Sequence, residues 1–324
     1  MPYANNSTNG MVSTFSLVYT GDGYAGGVLA PNGDIYFIPI LAGVGEKISR
    51  SGVVSTYSLV NTSLYIGGVL APNGDIHFVP YDAPVGQKVN ASGVVSTYSL
   101  VYTNINGAYS GGVLAPNGDI NFVPSNANRG QKVSAAGVVS TYSLVYTVGS
   151  AYEGGVLASS GDIHFIPNSA NRGQKISAAG VVSTYSLVFT GSLAYSGGVL
   201  APNGDIHFIP YNANRGQKIS SAGVVSTYSL VYTLNAAYRG GVLAPNGDIH
   251  FVPYNAVVGQ KISAAGVVST YSLVYTEANA YWGGVLTPNG DIYFVPRQAL
   301  RGQKISTNVQ QKVGYALSPF FNKF

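Results

Sequence analysis

Histidine is the natural place to look for chemistry, because a neutral imidazole can shuttle a proton or bind a metal near pH 7. The chain has four: His77, His164, His207 and His250, each inside the tetrapeptide "DIHF". Three further copies of the same phrase carry Tyr36, Asn121 and Tyr293 in that slot. One imidazole per repeat, on sheets about 10 Å apart, does not converge to the ~2 Å that metal ligands need. The histidines are therefore expected to pack between units, with no metal site and no cofactor. Acid–base pairs look equally sparse. Outside a repeated "GD", the acids are Asp22, Glu46, Asp82, Glu153 and Glu277, all scattered. The Ser and Thr of "VSTYSL" recur without a nucleophile elbow or a nearby base. Cysteine is absent, which removes thiolate chemistry, disulfides and Cys-ligated zinc. A near-symmetric chain of this kind is expected not to be an enzyme. The one exception would be a unique pair, such as Glu153 or Glu277 meeting Arg239.

These residues sit in a repeat. The Asp of "GD" recurs at Asp34, Asp75, Asp119, Asp162, Asp205, Asp248 and Asp291, every 41–44 residues. Each unit reads as four short strands: "GGVLAP", "DIHFVP", "QKISA" and "VVSTYSLVYT", rich in Val, Ile, Tyr, Phe and Thr. Tight "PNG" and "AAG" turns and longer Gly/Asn-rich loops join them. Four strands in about 40–45 residues is the period of a propeller blade. The repeat starts just before a fourth strand and stops just after a third. The predicted fold is all-β: a seven-bladed β-propeller of four-stranded antiparallel blades, the N-terminal strand completing the last blade. Residues 1–324 form one domain, with repeats over 7–306 and an extension, 307–324. An open solenoid would want distinct caps instead.

The chain resembles β-propellers of the broad, kelch-like kind, with a Gly-Gly doublet opening the innermost strand. It lacks the downstream Tyr and Trp pair of kelch; Trp282 is its only tryptophan. "LAPNGDIxFVP" is similar to repeats in poorly characterised bacterial, phage and large-virus propellers. The resemblance implies a fold and no site residues. It also implies that the first strand lines the axis, with the long loops on one face, the top, and the tight turns on the other.

The tight turns barely change between copies, whereas the long loops vary freely. The x of "YxGG" is Ala25, Ile66, Ser110, Glu153, Ser196, Arg239 and Trp282. A ligand site is expected on the top face at the axial mouth, formed by Tyr109, Glu153, Tyr195, Tyr238, Arg239, Tyr281 and Trp282. The tyrosines themselves are expected first as a packing ring, each hydroxyl bonded to a neighbouring blade; the alternative, compatible with it at other Tyr atoms, is a wall of aromatic faces that stacks on sugar rings. A basic top ring is expected from Lys132, Lys175, Lys218, Lys261, Arg129, Arg172 and Arg215, over a bottom ring of "GD" aspartates. With that polarity, the expected function is multivalent, lectin-like binding of a glycan or other anionic surface ligand. The alternative is a virion or filament subunit stacking head to tail on protein neighbours. Nucleic acid is disfavoured, since a ring of basic residues is not a stripe and no binding module is recognisable. Charged residues are only 9% of the chain. No apolar run approaches the ~18 residues of a membrane span, and the N-terminus lacks the pattern of a secretory leader. An extracellular or virion-surface location is favoured over the cytoplasm.

Overall fold

The computed structural model describes residues 10–103 and 105–307. It contains 28 strands in seven four-stranded antiparallel sheets. In blade 1 the strands are Tyr24–Leu29, Ile35–Pro39, Gly45–Ile48 and Val54–Tyr57, paired in chain order. Blades 2 to 6 repeat this over 65–99, 109–143, 152–186, 195–229 and 238–272. Blade 7 takes three strands from 281–306 and its outer strand from Met11–Ser16, which pairs with Arg301–Ser306 from Met11↔Ser306 to Ser16↔Arg301. The ring therefore closes as the sequence predicts. The extension beyond Thr307 lies outside the described residues.

The second strand explains how the blades stack. Ile35–Pro39 is buried at every position, as are its counterparts in blades 2 to 6. A strand covered on both faces needs an apolar run without alternation, and "IxF[IV]P" supplies it. Seven of the core clusters each straddle two adjacent blades. Val28, Tyr36 and Ile38 of blade 1, for instance, pack on Tyr65, Ile76 and Phe78 of blade 2.

The Gly-Gly doublet has two separate jobs. Gly26 takes φ +88°, and between Tyr24 and Gly27 the register shifts by a bulge. A Cβ on Gly26 would stand 3.0 Å from Gly67 Cα of the next blade, a contact repeated around the whole ring back to Gly283 against Gly26. Only glycine allows that φ and that approach together. On Gly27 a Cβ would meet Val285 and Val295 methyls at 2.9 Å. The first glycine closes the axis, and the second lets the preceding blade pack.

Candidate functional site at the axial mouth

The tyrosine of "YxGG" does not form the mouth. Tyr109, Tyr195, Tyr238 and Tyr281 are fully buried, like Tyr24, Tyr65 and Tyr152. Each hydroxyl donates to a carbonyl at the start of the third strand: Tyr109 to Arg129 O (3.0 Å), Tyr195 to Arg215 O (3.3 Å), Tyr238 to Val258 O (3.0 Å) and Tyr281 to Arg301 O (3.0 Å). The rings form a packing ring in the seams, each against the preceding blade, as Tyr109 packs with Val69 and Val79, while each hydroxyl bonds its own blade and no aromatic wall is exposed. Burial drives these phenols far above their ordinary range.

The expected polarity of the disc also disappears. Every strand-three lysine pairs with the "GD" aspartate of its own blade: Lys132–Asp119, Lys175–Asp162, Lys218–Asp205 and Lys261–Asp248 at 2.7 Å, with Lys47, Lys88 and Lys304 alike at 2.6–2.9 Å. The reason is register. Lys132 faces Asn121, two residues from Asp119, so its flexible stem reaches the tight-turn end. The lysines thus neutralise the turn face and leave the loop face, and the opposite charges that favoured head-to-tail stacking cancel. Arg129, Arg172 and Arg215 do stand exposed where the third strands start, on the loop face.

At the mouth, the variable x residues converge into one asymmetric site instead of seven equivalent ones. Glu153 from blade 4 and Arg239 from blade 6 meet, with Arg239 Nε donating to Glu153 Oε1 at 3.0 Å. Ser196 Oγ of blade 5 donates to the same oxygen at 2.8 Å, and Asn168 Nδ2 donates to Oε2 at 3.1 Å. The Arg239 guanidinium lies 3.3 Å from the Trp282 ring centre, with Tyr211 and Tyr254 at 5.1 and 5.2 Å. Burial works against the Arg239 charge, but Glu153 and the aromatic neighbours outweigh it and hold the guanidinium pKa above its usual value. Tyr81 and Tyr211 are pushed up by burial and feel both charges. The other half of the mouth is apolar: Ala25, Ile40 and Ile66, with Leu64, Tyr81 and Trp282 against them. Among the described residues Arg239 makes its hydrogen bonds through Nε alone, so its terminal nitrogens remain available to a ligand.

The loops that deliver these side chains are strained in a regular way. Ser150, Leu193, Ala236 and Asn279 take φ of +50° to +54°, three residues before Glu153, Ser196, Arg239 and Trp282. Non-glycine residues pay for that conformation. Each is held by a side chain of the preceding blade: Asn126, Ser169, Asn212 and Asn255 accept the Ser150, Leu193, Ala236 and Asn279 amides at 2.7–3.1 Å.

Sequence reasoning missed Asn168, Tyr81, Tyr211 and Tyr254. They share one slot, the residue after the second-strand proline, which elsewhere holds Ile40, Ser125 and Arg297. Its variability was as readable as that of x. The histidines lie where expected, buried between blades, each Nδ1 within 3.2–3.4 Å of a tyrosine hydroxyl: Tyr98, Tyr185, Tyr228 and Tyr271. Burial lowers each imidazole to about 4. No group of three metal-ligating side chains occurs among the described residues, and they include no helix long and apolar enough to cross a membrane.

No family profile and no curated protein matches the sequence. Solved structures do. A streptogramin B lyase is 22% identical with a TM-score of 0.80, over 93% of this chain and 98% of that one. A catalytically inactive histidine-to-alanine variant of virginiamycin B lyase from Staphylococcus aureus, with quinupristin, is 20% identical with a TM-score of 0.81, over 91% and 98%. The extracellular domain of a hybrid two-component system from B. thetaiotaomicron is 12% identical with a TM-score of 0.70, over 92% of this chain and 41% of that one. At these identities the likeness establishes the seven-bladed fold. It also overturns the expectation that so symmetric a ring is not an enzyme. A lyase uses the same architecture, and the exception named from sequence, a unique Glu153–Arg239 pair, is present.

Proposed function

We propose that the chain is a ligand-binding propeller whose site is the axial mouth on the loop face, and that its ligand is an acidic saccharide met outside the cell. The observation that carries this reading is the Glu153–Arg239 pair set among Trp282, Tyr211 and Tyr254. The carboxylate can accept from one sugar hydroxyl while the guanidinium beside it donates to the next. Aromatic faces and the apolar half of the mouth suit the C–H face of a pyranose. Exposed Arg129, Arg172 and Arg215, on consecutive blades, offer charge to uronate or sulfate groups at the rim. An extracellular setting accords with what the B. thetaiotaomicron neighbour is. The lyase reaction is not carried over. The inactive S. aureus variant lacks a histidine, and all four histidines here are buried between blades.

A glycan array followed by calorimetry tests this. The expected result is a shared acidic saccharide motif among the hits, weakened about tenfold, on the order of 1.4 kcal/mol, by Trp282→Ala and by Glu153→Gln. Binding at 0.5 M salt should fall further when Arg172 and Arg215 are intact than when both are Ser. An array blank on every acidic glycan, or hits indifferent to both mouth variants, would overturn the reading.

A further inference from the structure

Every joint between blades is held by one fully buried side chain from the third strand. At six joints it is glutamine. Gln87 Oε1, for example, accepts the Val60 and Asn61 amides of blade 1 at 3.1 and 2.7 Å, and its Nε2 donates back to Asn61 O at 3.1 Å. Gln174, Gln217, Gln260 and Gln303 repeat both halves of this grip, donating to Tyr146, Phe189, Tyr232 and Tyr275 carbonyls at 3.4–3.5 Å. Gln131 keeps the accepting half. At the seventh joint, where blade 1 grips the segment after the N-terminal strand, the residue is Glu46. Its Oε1 accepts the Val18 and Tyr19 amides at 2.7 and 3.2 Å. Its Oε2, in the place of the amide nitrogen, is buried with no partner. An ionised Oε2 can only accept, yet the homologous atom in five sister joints donates to a carbonyl. Protonation turns that oxygen into a donor and relieves the mismatch.

We propose that Glu46 is held as the neutral acid in the closed ring, its Oε2–H standing in for a glutamine amide, so that rising pH loosens this one seam. It is the seam between blades 7 and 1, where the segment that follows the N-terminal strand meets the first blade. Among the described residues, none offers Glu46 a cation. Lys47 is committed to Asp34 at 2.9 Å, and Asp22 to Arg297 at 3.0 Å. Across the strands it faces Phe37 and Thr56, and the Tyr19 and Tyr24 phenols complete its surroundings, with Tyr57 behind Tyr24. Burial raises the carboxyl above its ordinary range and outweighs the two amides that pull it down. The folded state thus holds the proton more tightly than the unfolded state. The contribution of Glu46 is complete below the usual carboxylate pKa and is lost as pH rises through the raised value.

The test uses the full chain and two variants, Glu46→Gln and the reverse exchange Gln87→Glu. Melting temperature is followed from pH 4 to pH 9, together with deuterium uptake at residues 11–19. Glu46→Gln should melt about 2 °C higher than wild type at pH 8–9, with the gap closing toward pH 4. Protection of 11–19 should fall with pH in wild type, beyond the intrinsic exchange trend, and not in the variant. Gln87→Glu should acquire the same loss with rising pH at the blade 1–2 joint. A gap independent of pH, a variant less stable than wild type at every pH, or a Gln87→Glu protein without new pH dependence would each overturn the proposal.

Discussion

The two faces of the ring use the same scaffold in opposite ways. On the turn face seven lysines meet seven aspartates in the same geometry, and the adjoining turns bond the same atoms: Asp34, Asp75, Asp119, Asp205 and Asp248 amides donate to Asn side chains two residues before them. On the loop face, equivalent positions hold unlike residues that reach across blades to one another, as Glu153 reaches Ser196 and Arg239. Repetition on one face builds seven copies of one local solution. Variation on the other builds a single site that no blade contains alone.

The comparison breaks hardest at the axis the two faces share. Gly154→Val places a branched side chain at φ +77° against Gly197 Cα, where a Cβ alone would stand at 3.0 Å. A loss on the order of 3 kcal/mol or more is expected, read as a shift in denaturant midpoint or as failure to fold. Next comes the loop face. Arg239→Met strands Glu153 in a site where both side chains are 12–16% exposed, and should cost about 2–3 kcal/mol. Adding Glu153→Gln should recover part of that, and a double-mutant cycle by chemical denaturation measures the coupling.

A third effect is shared by four blades. His77, His164, His207 and His250 fall to about 4 when folded, against about 6.5 unfolded. A depressed value means that their contribution is complete above about 6.5 and is lost as pH falls toward 4. Replacing all four by Asn, which blade 3 already carries as Asn121, should flatten stability across that window, as calorimetry at pH 4 to 7 would show. The smallest effect belongs to the turn face. Lys132→Met breaks one of seven half-exposed pairs, Lys132 being 36% exposed, and should cost no more than about 0.5–1 kcal/mol. That cost should shrink further in high salt. A loss at Lys132 as large as the loss at Arg239 would erase the contrast between the faces.

The blades, their number and the ring closure were legible because they rest on periodicity, which a single chain displays seven times over. The x residues were legible too, since Arg239 and Trp282 break an otherwise constant phrase. The tyrosines are the packing ring that the repeat implies, but their contact with a ligand and the partner of each hydroxyl were not legible, because the bulge at the Gly-Gly doublet breaks the simple alternation of faces along the strand. Tyr238 then stands against Phe251, their ring centres 5.4 Å apart, in the seam with Val199 and Ile209 of the preceding blade. The lysines were misread because position on a strand was taken for position of the charge. A four-carbon stem moves that charge toward the next residue pair, here from Asn121 to Asp119. The meeting of Glu153 with Arg239, 86 residues apart, was legible as a possibility only. Which x residues touch depends on the ring's radius, and no local pattern encodes a radius.

The turn face carries one more consequence. Because its blades are interchangeable, the covalent gap between the first and last residues of the ring occupies one of seven nearly equivalent positions. Joining the ends and reopening the chain in another exposed loop would rotate the order of the modules while leaving each blade's neighbours unchanged. The mouth would survive that rotation intact, since its asymmetry lies in which blade follows which, and a cyclic order has no first member.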